Sequence, residues 1–86
     1  MNTNKVILEI VEVVIKTKDS KTEIFKFKHK GKTYFITQQI SIWKEQLGDN
    51  IVTHYHLICK DEKVSCQLSH NHKENSWMLT QMDRVN

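Results

Sequence analysis

The chain opens on a dense apolar stretch, Val6-Ile7-Leu8-Glu9-Ile10-Val11-Glu12-Val13-Val14-Ile15, in which β-branched residues dominate. Branching at Cβ disfavours a helix and suits a pleated surface, so the stretch predicts a first strand over 6–15. Glu9 and Glu12 lie three apart and would face opposite sides of a regular strand, whereas a bulge between them would turn both outward. From Thr22 to His29 the residues alternate, which predicts a second strand with Phe25 and Phe27 toward the core and Ile24, Lys26 and Lys28 on the other side. The polar connector Lys18-Asp19-Ser20-Lys21 supplies turn formers and joins the two as a hairpin. His29-Lys30-Gly31-Lys32 reads as the next tight turn, since glycine accepts a positive φ without steric cost.

A third strand follows, with Tyr34 and Ile36 on one side and Phe35, Thr37 and Gln39 on the other. Near Ser41 the period shifts. Ser41 as a cap, then Ile42, Trp43 and Leu47, ended by Gly48, suggest at most one short helix near 41–47. Further strands are expected over 51–60, 63–70 and 76–82, the first two joined at Asp61-Glu62. The predicted class is mainly β: a small, strongly bent antiparallel sheet or a five- to six-stranded barrel, forming one domain over 1–86.

Length limits what such a fold can hold. With 86 residues, 38% hydrophobic and 27% charged, the chain buries only about 60–65% of its unfolded surface and leaves little interior for a deep substrate cavity. The apolar run at the start is too short and too interrupted for a membrane span or a secretory signal, so no membrane association is expected, and the predicted location is cytoplasmic. Cys59 and Cys66 are then expected as reduced thiols.

Charge is unevenly placed. The formal net charge is +3, but residues 16–32 alone hold Lys16, Lys18, Lys21, Lys26, Lys28, Lys30 and Lys32 against Asp19 and Glu23. Such a stripe attracts phosphate-bearing partners, although lysine is also the ordinary residue for the solvent face of a strand.

His54, His56, Cys59, Cys66, His70 and His72 suggest a zinc site by composition, yet their spacing is not that of a zinc finger. If Asp61-Glu62 is a hairpin centre, Cys59 faces Val64, Leu57 faces Cys66 and Tyr55 faces Leu68. All six then lie on one apolar side. His54, His56, Ser65, Gln67 and Ser69 fall on the opposite side, so thiols and the first two imidazoles cannot converge. The cysteines would sit diagonally, too far apart for an ordinary disulfide. No metal, cofactor or catalytic residue is nominated: the chain has no Gly-rich phosphate cradle, no His-Glu-x-x-His and no Gly-x-Ser-x-Gly. Trp43, Trp77, Tyr34 and Tyr55 could stack on bases, but at their alternating positions they fit a core or its rim.

The block Phe27-x3-Gly31-x2-Tyr34-x-Ile36-x3-Ile40-x2-Trp43, with Trp77-x-Leu79-x2-Met82-Asp83 near the end, resembles an uncharacterised family of small bacterial β domains, some encoded near error-prone DNA polymerase genes. That family usually has an aromatic residue where this chain has His29, and arginine where it has Lys30 and Lys32. The resemblance implies a barrel-like domain with a DNA-associated role. The expected function is a non-enzymatic binding module whose basic hairpin contacts nucleic-acid phosphates. The alternative is a protein-interaction or regulatory domain docking through a sheet edge, which could also make a homodimer.

Overall fold

A computed structural model describes the backbone of residues 5–85 and the side chains of residues 7–85. All regular structure there is strand: β1 (Lys5–Ile10), β2 (Glu12–Lys18), β3 (Lys21–His29), β4 (Lys32–Phe35), β5 (Gln38–Leu47), β6 (Asn50–Cys59), β7 (Val64–Asn71) and β8 (Ser76–Arg84). They form two antiparallel sheets, one of five strands in the order β1-β8-β7-β6-β5 and one of three in the order β2-β3-β4. The sheets do not close into a barrel.

Two chain segments pass from one sheet to the other. The β-branched stretch expected as one strand breaks at Val11, whose side chain is buried and whose N–H donates to the Trp77 carbonyl (3.1 Å). β1 on one side of this corner pairs with β8, and β2 on the other pairs with β3. The second crossing follows β4. There the Ile36 N–H still donates to Phe25 of the small sheet (3.0 Å), and the next one, Thr37, donates to Ile58 of the large sheet (2.8 Å).

The turns obey their residues. Asp19 and Ser20 both take positive φ, as do Lys30 and Gly31, and this pair of left-handed positions matches the twist of a two-residue hairpin. Gly48 has φ +63° between Leu47 and Asn50, so it opens a hairpin and does not end a helix.

That corrects the helix expected near 41–47. β5 runs straight through it, pairing Ile42 with Tyr55, Trp43 with His54 and Lys44 with Thr53. Ile40, Ile42 and Trp43 favour strands, and the ladder with β6 outweighs the weak helical spacing.

Between the sheets lie Phe27, Leu57, Cys59, Cys66, Leu68 and Leu79, all essentially inaccessible, with Ile24 and Tyr34 beside them. Phe27 and Tyr34 stack at 5.0 Å. The β6–β7 hairpin has the expected register, Cys59 opposite Val64, Leu57 opposite Cys66 and Tyr55 opposite Leu68. Both thiols are free and buried. The Cys66 thiol is pushed far up by its hydrogen bond with Cys59 and then by burial, so it stays protonated.

Candidate nucleic-acid interface

The outer face of the small sheet is set by a bulge in β3. Val14 pairs with Lys26 but the next residue, Ile15, pairs with Ile24, so Phe25 is an extra residue with no partner on β2. The bulge reverses the side assignment on its far side. Ile24, expected among the lysines, enters the core, and Phe25, expected in the core, lies only half-buried on the outer face. Phe27 keeps its expected place.

Alternation from these registers puts Lys16, Lys18, Lys21, Lys26 and Lys28 on that outer face, together with Glu12, Val14, Glu23, Thr33 and Phe35. Five lysines thus share a surface with two glutamates. At its centre Phe25 and Phe35 meet edge to face at 5.9 Å, and Phe35 is 41% exposed. Lys16 Nζ lies 4.5 Å from the Phe25 ring centre, and Lys26 Nζ lies 5.6 Å from Phe25 and 5.5 Å from Phe35. Ammonium groups above aromatic rings are held there by the ring quadrupole while still facing water. Chemically, this is an aromatic pair with its rings 71° apart and two ammonium groups over them.

Lys30 and Lys32 do not belong to it. Lys30 lies in the β3–β4 turn at the other end of the sheet and Lys32 directly follows it, Lys30 Nζ at 3.9 Å from Glu9 and Lys32 Nζ at 5.3 Å from the Tyr34 ring centre. The seven-lysine stripe is therefore two groups.

No family model, curated protein or solved structure matches the chain. Function accordingly rests on the chemistry of its faces.

The histidines divide as their strand parity requires. His54 sits on the outer face of the large sheet, stacked on Trp43 at 5.2 Å. Its Nδ1 lies 2.9 Å from Ser69 Oγ and its Nε2 lies 2.9 Å from Glu45 Oε1. A serine, an imidazole and a carboxylate in line suggest a nucleophile and its base. These contacts run across neighbouring strands, however, with Ser69 of β7 and Trp43 of β5 directly opposite His54, so they tie the outer face of the sheet together laterally. On the inner face, beyond the small sheet, His70 stacks on Trp77 at 4.3 Å and meets His72 at 4.5 Å, with Tyr55 at 5.5 Å from Trp77. His70 Nε2 is 3.0 Å from Asn75 Oδ1, and His72 Nε2 is 2.7 Å from Thr53 Oγ1. Burial, then His70 and Lys44, hold the His72 pKa below its ordinary value. Among the described residues no three His, Cys, Asp or Glu side chains gather as metal ligands.

The sequence reading missed both phenylalanines of the aromatic pair. Phe35 carried a signal, since it alternates away from Tyr34 and Ile36. Phe25 carried none, because its outward position depends on the bulge.

Proposed function

We propose that the chain is a non-enzymatic binding module for single-stranded nucleic acid, using the outer face of the small sheet. The observation that carries this reading is the pair of half-buried Phe25 and exposed Phe35 beneath Lys16 and Lys26. Bases unstacked from their neighbours present π faces to such rings, and the five lysines attract the backbone that links them. Lysine in place of arginine favours phosphate attraction over base reading, so little sequence preference is expected. A DNA-associated role is also what the family resemblance of the Phe27 and Trp77 blocks implies. Titration of a labelled mixed-sequence 12-mer at several salt concentrations tests the proposal. Each phosphate neutralised on a single strand adds about 0.7 to the slope of log affinity against log salt, so five lysines set a ceiling of roughly 3.5. Absence of binding at low salt defeats the proposal.

A second reading is favoured by β5, an edge strand whose ten residues are all exposed. Ile40, Ile42, Trp43 and Leu47 are each about half accessible there. From Ser41 to Leu47, past the register shift after Gln39, this uncovered edge runs in regular register and suits docking of another strand, from a protein partner or a second copy. Light scattering across a concentration series, with a Trp43→Glu variant, tests the second-copy form; a monomer at every concentration removes it.

A further inference from the structure

A cleft opens at the end of the molecule away from the Lys18–Lys21 turn. Ile7 and Glu9 of β1, His29, Lys30, Lys32 and Tyr34 around the β3–β4 turn, Glu62 and Val64 after β6, and Met82 and Arg84 of β8 surround a volume of about 750 Å³. That size lies within the usual range for small-ligand sites. Its floor is apolar, built from Ile7, Tyr34, Val64 and Met82, and its rim is charged.

The carboxylates of the rim are already engaged. Glu9 Oε2 lies 3.2 Å from His29 Nε2 and Glu9 Oε1 lies 3.9 Å from Lys30 Nζ, while Glu62 Oε1 accepts the Phe35 N–H at 3.0 Å. Two cations remain. Among the described residues no carboxylate makes an ion pair with Lys32 or Arg84, and both are exposed. They come from different strands, at the start of β4 and the end of β8, and line the same mouth. The Tyr34 pKa is raised by burial and then by Cys59, Glu62 and Cys66, so its hydroxyl stays a neutral donor.

We propose that this cleft binds a nucleoside 5′-phosphate group, its base against Ile7, Val64 and Met82 of the floor and its phosphate at the mouth lined by Lys32 and Arg84. A planar apolar body suits the floor. A phosphomonoester, nearly doubly charged at neutral pH, suits two cations lining one mouth, with the arginine fork giving paired hydrogen bonds. The site takes in Lys32, one of the two lysines that the outer face leaves aside, and its occupancy does not depend on binding at Phe25 and Phe35.

Calorimetric titration of the full chain with AMP, adenosine and inorganic phosphate tests it, beside Arg84→Gln and Lys32→Gln. AMP should bind at least tenfold more tightly than either adenosine or phosphate, and each substitution should weaken AMP roughly tenfold or more. Both side chains are exposed, and unchanged thermal unfolding of the variants confirms that the fold is kept. A 5′-phosphorylated 12-mer compared with its 5′-hydroxyl counterpart separates the sources. Preference for the phosphorylated end identifies a strand terminus as ligand, and equal binding of the two identifies the free nucleotide. Lys26→Ala with Lys28→Ala should leave AMP binding intact. No AMP binding at 10 mM, roughly ten times a millimolar Kd, overturns the proposal. Adenosine equal to AMP, indifference to Arg84→Gln and Lys32→Gln, or loss of AMP binding in the outer-face double variant also overturns it.

Discussion

Stacking and phosphate attraction at the outer face make separable demands, and Phe35→Ala beside Lys26→Ala separates them. Phe35 is 41% exposed and touches Phe25 edge to face, so truncating it removes one of two π faces while deleting no charge. Base–aromatic stacking is worth about 1–3 kcal/mol per base by alanine substitution, which corresponds to roughly a 5- to 150-fold loss of affinity. The salt slope should not move. Lys26 stands between the two rings, 5.6 and 5.5 Å from their centres, and its removal deletes one cation. The slope should then fall by about 0.7, with a loss that shrinks as salt rises. Fluorescence anisotropy of a labelled oligothymidine at 25 to 200 mM salt measures both quantities. The reasoning fails if Phe35→Ala binds as tightly as the parent chain, or if its loss disappears at high salt in the manner of a missing charge.

Three further outcomes follow from the core and its rim. Phe27→Ala should cost about 3–5 kcal/mol, because Phe27 is 1% exposed and stacked on Tyr34. Against the roughly 4–13 kcal/mol expected for a chain this size, that lowers Tm by about 12 °C or more in a thermal melt, and a drop of only a few degrees would contradict the packing described. Cys59 and Cys66 should resist a thiol reagent in the native state and react fully once unfolded, since both are buried and Cys66 is held protonated; rapid stoichiometric labelling of the native chain would contradict this. His72 titrates below its ordinary 6.5, so the folded state favours the neutral ring: its contribution to stability is complete above pH 6.5 and is lost as pH falls through the lowered value. Melts at stepped pH should show that decline, His72→Gln should reduce it, and an NMR titration placing His72 above 6.5 would reverse the sign.

Legibility in the sequence followed how local each determinant is. The β6–β7 register could be read because Asp61-Glu62 anchors it and the strands alternate without interruption, which fixes both thiols inside and His54 and His56 outside. The two tight turns were equally local, set by Asp19-Ser20 and Lys30-Gly31. The bulge at Phe25 was not legible, since nothing in Ile24-Phe25-Lys26 marks which residue is the extra one until β2 pairs against it. The break at Val11 depends on two sheets competing for one β-branched stretch, an outcome decided by β8 and β3. β5 misled for a related reason: Ile42, Trp43 and Leu47 have helix-like spacing, and only β6 beside them imposes the extended form. The lysines were visible as a run, but their division into five on one face and two at the cleft needed the register and the turn together.

The central claim is that single strands lie across Phe25 and Phe35 among the lysines of β2 and β3. The most direct measurement is the change in backbone amide NMR shifts when an oligothymidine 12-mer is added to the isotope-labelled chain. The account predicts that the largest changes fall on residues 14–18, 21–28 and 33–35, with Phe25 and Phe35 among the strongest. Changes concentrated on β5, or no changes at low salt with the fold intact, would contradict it.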